Sequence, residues 1–333
     1  MRNALILVFA LATTIFSNDS APDKSQVQGI TISTHGGGRD WGSDAIVPTL
    51  LAIRDLGANW VAIHPYASIN ADGSLHWSSI DPENPPAHIA RPIREAHRLG
   101  LSICIKPHIA YWRSPFSWRG EITFEDDEEC QRFWRGYKQW ITQVATVGSE
   151  ADGFVVGTEL DLTLQYEEEW RDIIAAVRQH TDAPLTYAAN WTDYQRVPFW
   201  DALDVIGIQA YFPLTDNPDY DKEDIREGWT VRMQELGEYS ERHNRQILFT
   251  ELGYNQSYQA PIEPWAYKVD GEEARPIQAY CMRTALAAIA AEPRVVGALL
   301  WKWFPRPRPV GRNFQLATPP IIQIISEAWL SPR

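Results

Sequence analysis

The chain has 333 residues, of which 44% are hydrophobic and 22% charged, so it is a folded globular protein and a disordered chain is excluded. Its formal net charge is −13, and no run of Lys or Arg exceeds two residues. A phosphate backbone would be repelled, and we expect no nucleic-acid partner. The three cysteines, Cys104, Cys130 and Cys281, show no CxxC spacing and indicate neither a disulfide framework nor a zinc site.

The first 21 residues are predicted to be a secretory signal peptide or an N-terminal anchor. Arg2 precedes an apolar run from Ala4 to Phe16, which is too short to span a bilayer. Because the stretch Ser17 to Ala21 lacks a clean small-x-small cleavage site, a retained anchor stays an alternative. We expect a secreted or periplasmic protein with no membrane span in its mature chain.

After residue 27, short apolar runs alternate with longer amphipathic segments, which is typical of repeated βα units. Several runs are apolar almost throughout, as expected of strands buried on both faces. Eight such runs predict a (β/α)8 TIM barrel, an α/β fold, as one domain over residues 27–331. The predicted strands are Gly29–Ser33, Trp60–His64, Leu101–Lys106, Gly153–Thr158, Leu185–Ala189, Val205–Gln209, Ile247–Thr250 and Val295–Trp301.

Helical periodicity occupies most of the segments between these strands. The connections that follow strands are longer and richer in aromatic, proline and charged residues than those that precede strands. This asymmetry is typical of a barrel whose functional loops lie at the carboxyl ends of its strands. The predicted helices are Ala45–Leu56, Ile89–Leu99, Glu125–Val147, Glu167–His180, Lys222–Asn244 and Ile277–Glu292.

A doubly wound open sheet is the main alternative fold. It usually carries a glycine-rich turn after its first strand, and Gly36-Gly37-Gly38 does follow the first strand here. This run is not GxGxxG, and Arg39-Asp40-Trp41 does not begin the expected helix. Nucleotide binding is therefore disfavoured.

Two glutamates close apolar strands. Glu159 ends the fourth predicted strand and Glu251 follows the seventh. Burying two carboxylates is costly. A salt bridge to a neighbouring Arg could explain a single glutamate at a strand end, but it is a less economical explanation for two of them. Glycoside hydrolysis needs this pair, because one carboxyl group must donate a proton while the other attacks the anomeric carbon as an anion. We therefore predict Glu159 as general acid/base and Glu251 as nucleophile.

These strand ends resemble the clan of retaining (β/α)8 glycosidases. Within it, the chain resembles glycoside hydrolase family 113, whose characterised members are endo-β-1,4-mannanases. The resemblance covers nearly the whole mature chain. It is carried by Gly36-Gly37-Gly38, Trp60-Val-Ala-Ile-His64-Pro, Ile105-Lys106-Pro-His108, Trp118-Arg-Gly-Glu-Ile122, Gly157-Thr-Glu159 and Thr250-Glu251-Leu-Gly.

The resemblance implies further substrate-binding residues. Tyr211 stands where the clan donates a phenol hydrogen bond to the nucleophile, and Trp301 where it places an aromatic platform, although packing at the barrel rim would also explain this Trp. In many clan members an Asn directly before the acid/base residue contacts the sugar 2-hydroxyl. This chain has Thr158 at that position, and Asn190 is a candidate replacement for the contact. Tryptophans at or after strand ends are expected to line an open cleft for endo action: Trp112, Trp118, Trp191, Trp265, Trp301 and Trp303. Exo action stays an alternative, because the long aromatic loop from Tyr254 to Ala274 could form the wall of a closed pocket.

His64, Lys106 and His108 close the second and third strands and are predicted to donate hydrogen bonds to sugar hydroxyls. A metal-dependent hydrolase would need several ligands that converge, and these histidines are single and on different strands. We predict no metal. Arg119 and Asp161 are weaker candidates, because charged loop residues are usually solvated.

The predicted function is hydrolysis of a β-1,4-linked polysaccharide, in particular mannan, by double displacement without a cofactor. We expect a monomer whose partner is a carbohydrate substrate. Two alternatives stay open: an enzyme of the same clan that acts on β-glucosides, β-galactosides or glucan, and a carbohydrate-binding barrel without catalysis. The second alternative is disfavoured because both carboxylates are present.

Overall fold

Eight parallel strands close into a barrel in the computed structural model, which describes residues 26–35, 37–306 and 314–330. The strands adjoin in the order β1-β11-β10-β9-β8-β7-β5-β2. Their bounds are β1 Val27–Ile32, β2 Trp60–Ile63, β5 Ser102–Ile105, β7 Gly153–Thr158, β8 Leu185–Asn190, β9 Ile206–Gln209, β10 Ile247–Leu252 and β11 Val295–Trp303.

Seven α-helices are described, and they follow the barrel strands in chain order. Residues 191–205, between β8 and β9, instead contain two 3-10 helices, Tyr194–Arg196 and Trp200–Ala202. None of the described helices combines the length and the apolar character needed to cross a membrane. The helices are α1 Ile46–Arg54, α2 Ala87–Arg98, α3 Asp127–Val147, α4 Glu167–Arg178, α5 Lys222–His243, α6 Arg275–Ala291 and α7 Pro319–Leu330.

Capping side chains fix where two long helices begin. Asp126 accepts hydrogen bonds from the backbone N–H groups of Glu128 and Glu129 at the start of α3. Asp221 forms a reciprocal capping box with Asp224 at the start of α5. Each cap satisfies N–H groups that have no partner within the helix, so these sequence positions set the helix starts.

Two layers of apolar side chains fill the molecule. The larger core lies where the helices pack on the barrel, and it is rich in Ile, Leu and Trp. A separate small cluster joins five barrel strands through Ala62, Cys104, Val155, Ala188 and Leu299. The barrel therefore has packed side chains within it, and its polar groups concentrate at the carboxyl ends of the strands.

A small sheet extends the barrel mouth beyond β2 and β5. It consists of β3 Tyr66–Ile69, β4 Leu75–His76 and β6 His108–Ala110, in the order β4-β3-β6. Because Tyr66 pairs with His108 in the parallel β3–β6 register, the sheet fixes both residues beside the mouth.

The predicted (β/α)8 fold is confirmed, and all eight predicted strands and all six predicted helices are present. Helix α7 and the small sheet were not predicted. The strands of this sheet have only two to four residues and give little periodic signal. Helix α7 begins at Pro319-Pro320, which is compatible with a first helical turn. The predicted signal segment, residues 1–21, lies outside the described residues.

Candidate active site

A cavity of about 420 Å³ opens at the carboxyl ends of the barrel strands and contains both predicted catalytic glutamates. Its walls come from the carboxyl ends of six barrel strands, β5, β7, β8, β9, β10 and β11, and from the segments that follow them. The lining residues are His108, Tyr111, Trp118, Arg119, Glu159, Asn190, Trp191, Thr192, Tyr211, Glu251, Trp265, Tyr267, Trp301 and Phe314.

Glu251 lies in β10 with both carboxylate oxygens engaged. Its Oε1 forms a short ion pair with the Lys106 ammonium, and its Oε2 accepts a hydrogen bond of 2.7 Å from the Tyr211 hydroxyl. Lys106 is fully buried and also donates to the carbonyl oxygen of Thr250 at 3.1 Å. The lysine therefore lies beneath the cavity, where it holds Glu251 in place.

Opposing effects act on the ionisation of Glu251. Burial would raise the pKa of its carboxyl group, but the charge of Lys106 and the hydrogen bonds from Lys106 and Tyr211 outweigh burial and lower it. Gln209, at the end of β9, helps to hold this lysine, because its amide oxygen accepts hydrogen bonds from Lys106 at 3.4 Å and from Thr250 at 3.1 Å. Glu251 is thus ionised at neutral pH.

Glu159 follows β7 in a left-handed backbone conformation, with φ of 50°. Such a conformation is uncommon for a residue other than glycine and needs support from its surroundings. The Glu159 N–H donates to the carbonyl oxygen of Ala188 at 2.9 Å, and the next N–H, of Leu160, donates to the Tyr187 hydroxyl at 2.8 Å. Strand β8 therefore fixes the turn that carries Glu159.

Gly157 permits this arrangement. A Cβ atom at this position would lie 2.5 Å from the Trp170 ring and 2.9 Å from the Tyr187 ring. Only glycine lets these two rings pack against β7 and bring the Tyr187 hydroxyl to the turn after Glu159.

The environment of Glu159 differs from that of Glu251. Burial raises the pKa of the Glu159 carboxyl group, the charge of Arg119 opposes this rise, and the charge of Glu251 adds to it, so the pKa is raised. Arg119 Nη1 lies 3.7 Å from Glu159 Oε2. The cavity therefore holds one carboxyl group that favours its protonated form and one that favours its ionised form.

His108 lies between the Arg119 guanidinium group and the Glu251 carboxylate. Its Nδ1 is 2.9 Å from Arg119 Nη1, and its Nε2 is 3.8 Å from Glu251 Oε1. Burial, aided by the charges of Arg119 and Lys106, lowers the pKa of His108 well below its usual value, so the ring is neutral. Because Arg119 can only donate, Nδ1 accepts and the proton is assigned to Nε2.

His64 lies deeper than predicted. Its ring is 1% exposed, does not line the cavity, and has its centroid 5.0 Å from that of His108 and 5.2 Å from that of Trp301. It supports these two rings from below. Direct contact with a sugar in this cavity would require the rings above it to move.

The predicted aromatic residues separate into three groups. Trp301 lines the cavity, with Lys106 Nζ 4.9 Å from its ring centroid. Trp191 and Trp265 line it as well and stack on each other, with centroids 5.2 Å apart. Trp112 is 66% exposed, outside the cavity lining, with its ring centroid 5.4 Å from that of Tyr66. Trp303 packs in the hydrophobic core away from the cavity, which corrects its expected position in the cleft.

Asn190 lines the cavity, and its amide nitrogen is 3.4 Å from a carboxylate oxygen of Asp161. Burial and the neighbouring Asp193 raise the pKa of Asp161 to about 8, so this carboxyl group carries a proton at neutral pH. Asp161 was expected to be a solvated loop residue, but it is buried beside Asn190, the residue predicted to contact the sugar 2-hydroxyl.

Sequence reasoning missed Gln209 and Tyr187 and gave little weight to Arg119. Gln209 ends β9, so the rule that singled out the strand-end glutamates could have found it. Tyr187 lies inside an apolar strand, and nothing in its local sequence distinguishes it from a core residue. Among the residues that the structure describes, no three His, Cys, Asp or Glu side chains converge as a metal-binding group.

The family model "Glycoside Hydrolase Family 113" matches residues 30–310, which is most of the chain. The chain belongs to glycoside hydrolase family 113. This family 113 member is thus a glycoside hydrolase, and the carbohydrate substrate expected from its sequence agrees with the family. A comparison with curated proteins found no match.

Solved structures of the same family resemble this glycosidase over nearly their whole length. A GH113 β-mannanase from Alicyclobacillus acidocaldarius, in complex with ManMIm, is 26% identical with a TM-score of 0.80, covering 93% of this chain and 99% of that one. A GH113 β-1,4-mannanase complex is 19% identical with a TM-score of 0.80, covering 92% and 100%. A β-glucuronidase from Ruminococcus gnavus, at 15% identity and a TM-score of 0.61, covers 92% of this chain and 50% of that one and shares the fold alone.

Substitution of Tyr211 by Phe in this glycosidase should move the acidic limb of the kcat/KM pH profile to higher pH. The phenol lowers the pKa of Glu251, so its loss raises that pKa and a higher pH is needed to ionise the carboxyl group. A hydrogen bond to a charged group contributes roughly 1.5–3 kcal/mol, equivalent to a shift of about one pH unit or more. Tyr280→Phe, which removes a surface hydroxyl on α6, is the matched control, and an unmoved acidic limb would contradict the role of Tyr211.

Proposed function

We propose that this glycosidase hydrolyses β-1,4-linked mannan with retention of anomeric configuration, with Glu159 as general acid/base and Glu251 as nucleophile. One observation carries the proposal: the two carboxyl groups share a cavity but have opposite environments. Lys106 and Tyr211 keep Glu251 ionised, whereas burial favours the protonated form of Glu159. A retaining glycosidase needs this division between acid and nucleophile.

In the first step, Glu159 donates its proton to the glycosidic oxygen as the bond between that oxygen and the anomeric carbon breaks. A Glu251 carboxylate oxygen forms a bond to the anomeric carbon from the opposite face. In the second step, water attacks the same carbon, Glu159 accepts a proton from that water, and the bond to Glu251 breaks. Two inversions leave the configuration retained, and both carboxyl groups return to their starting states.

Mannan is proposed as substrate because the solved family 113 structures that this chain resembles are described as β-mannanases. The aromatic walls of the cavity also suit a chain of neutral pyranose rings, whose apolar faces stack on tryptophan. Trp265 is 42% exposed although it lines the cavity, so its ring is available for such stacking. We further propose Asn190 as the contact for the sugar 2-hydroxyl.

Mannooligosaccharides should be cleaved with kcat/KM that rises from the disaccharide to about five or six units, as expected of an endo-acting enzyme. Binding energy from rings remote from the scissile bond then stabilises the transition state at that bond. Chromatography of products from each oligosaccharide and from polymeric mannan measures both the rate and the cleavage position. Trp265→Ala should reduce the increase in kcat/KM between the disaccharide and the longest substrates by about tenfold or less.

Tyr258→Ala is the control for the aromatic substitution, because Tyr258 is 41% exposed and lies outside the cavity lining. Release of only monosaccharide from polymer, with the disaccharide cleaved as fast as the pentamer, would argue for a closed pocket, with residues 253–274 as its wall. Cleavage of β-glucan or β-galactoside in preference to mannan would overturn the substrate, but not the roles of the two glutamates.

We also propose that the protein is exported and acts as a monomer. Export is supported by the charged start and apolar run of residues 1–16, and it suits an enzyme that acts on a polymer outside the cell. Sequencing the N-terminus of protein recovered from the cell exterior tests export, and light scattering of the purified protein tests the oligomeric state.

A further inference from the structure

Arg119 is the basic residue that faces Glu159 most closely, and its position is fixed by the loop before α3. It begins the short 3-10 helix Arg119–Glu121. The loop is tied by the Glu121 carboxylate, which accepts hydrogen bonds from the backbone N–H and the hydroxyl of Ser117. Gly120 allows the Trp118 ring to pack against this turn, since a Cβ would lie 2.2 Å from that ring. Arg119 is therefore held in place before any substrate binds.

The guanidinium group is nearly buried and has spare hydrogen-bonding capacity. The Arg119 side chain is 11% exposed, and that of Glu159 is 19% exposed. Its Nη1 donates to His108 Nδ1 and lies 3.7 Å from Glu159 Oε2, which is too long for a direct hydrogen bond. Its Nε is buried with no partner among the described residues. Arg119 therefore acts on Glu159 through its charge at 3.7 Å rather than through a direct hydrogen bond.

A cation beside the general acid is unexpected, because it favours loss of the proton that the first step needs. The charges around Glu159 explain the arrangement. In the free enzyme the negative charge of Glu251 opposes the positive charges of Arg119 and Lys106. When Glu251 forms its ester with the sugar, its negative charge disappears and the two cations remain.

We propose that Arg119 is a positioning residue for Glu159: it holds the Glu159 carboxylate in its ionised form during the second step, while Glu251 is bound to the sugar, so that Glu159 accepts a proton from water. The inference rests on the proposed function. Arg119 thereby acts in the second step of the reaction. His108 accepts a hydrogen bond from Arg119 and so fixes the position of its guanidinium group.

Other groups that face Glu159 do not supply this effect. Lys106 also acts on Glu159, but it is paired with Glu251. Lys302, whose pKa is lowered to about 8 by burial, interacts with Glu251, Arg119 and Lys106 and is not among the main influences on Glu159. Asp161 would oppose ionisation of Glu159 if charged, but burial keeps it protonated at neutral pH. The remaining polar groups that act on Glu159 or are acted on by it are uncharged, namely Gln209, Tyr187, Tyr211 and Tyr267.

The test compares Arg119→Gln, which keeps a hydrogen-bond donor without the charge, with Arg119→Lys, which keeps the charge. The substrate is 2,4-dinitrophenyl β-mannobioside, whose leaving group needs no proton, so that the second step limits kcat. Loss of the charge should move the acidic limb of the kcat profile to higher pH by about one unit or more. At a pH below the shifted acidic limb, kcat of Arg119→Gln should be about tenfold lower than that of the unaltered protein, and the difference should disappear as the pH rises.

Arg119→Gln should also move the alkaline limb of kcat/KM on mannopentaose to higher pH, because Glu159 then keeps its proton up to a higher pH. Arg119→Lys should keep both limbs close to those of the unaltered protein. Arg113→Met is the matched control, since Arg113 is an exposed cation in the same loop.

A loss of activity that is equal at every pH, with both limbs unmoved, would show that Arg119 only supports the loop and would overturn the inference. Equal shifts in the Gln and Lys variants would overturn it as well. If Arg119→Gln does not fold, Arg119→Met, which also removes the charge and keeps an extended side chain, is measured in the same two profiles against Arg119→Lys. Failure of the proposed function is distinguishable, since the unaltered protein would then hydrolyse no β-mannoside.

Discussion

Glu251→Ala should lose turnover of mannopentaose by a factor on the order of 10⁴ or more, because no other group can form the bond to the anomeric carbon. The structure supports this expectation, since Glu251 is 5% exposed and is aligned by Lys106 and Tyr211. Initial rates measured by product chromatography test the loss. Glu263→Ala, an exposed residue in the loop after β10, is the matched control and should retain normal activity.

Azide should restore turnover of Glu251→Ala on an aryl β-mannobioside with a good leaving group. The small anion can occupy the space left by the carboxylate and attack the anomeric carbon, which gives a glycosyl azide of inverted configuration. Nuclear magnetic resonance of the product reads that configuration. Rescue with retained configuration would mean that the azide acts at the position of the second-step water, and Glu251 would then not be the nucleophile.

Glu159→Ala should behave differently, with a loss that depends on the leaving group. On mannopentaose, whose departing hydroxyl needs a proton, the rate should fall by about 10²–10⁴-fold. On the dinitrophenyl substrate, the first step should stay close to normal, since that leaving group departs as an anion. Slow release of the sugar from Glu251 should then produce a burst of dinitrophenol, which stopped-flow absorbance measures.

Glu168→Ala is the control for this substitution, because Glu168 is exposed on α4. Equal losses on both substrates would contradict the role of Glu159 as general acid. If azide instead rescued Glu159→Ala with inversion, and Glu251→Ala showed the dinitrophenol burst, the two roles would be reversed.

Much of the fold could be predicted because its signals are local. Each barrel strand is a short, nearly continuous apolar run, and each long helix has apolar periodicity, so both can be read from neighbouring residues. Helix α7 has 12 residues with apolar residues at helical spacing and was overlooked although its signal is local. The small sheet was missed because its pairing is not local. The three strands of that sheet are too short for periodicity, and they pair only because β2 and β5 bring Tyr66 and His108 side by side.

The sequence also determined where the chemistry lies. In a closed parallel barrel every strand ends at the same face, so residues at strand ends, such as Glu159 and Glu251, meet even when they lie far apart in the sequence. A position at or after a strand end does not predict whether the side chain lines the cavity. Trp303 continues β11 in the expected direction but packs in the core, and Trp112 lies outside the cavity.

Only the tertiary structure decided how the two carboxyl groups differ. Lys106 was expected to contact sugar hydroxyls, but it is buried and paired with Glu251, and Arg119 comes from a different loop to face Glu159. The sequence thus determined which residues meet at the barrel mouth, because strand order and direction follow from local patterns. It did not determine which cation faces which carboxylate, because that depends on angstrom-scale side-chain packing between distant segments, and Coulomb interactions depend strongly on distance and burial.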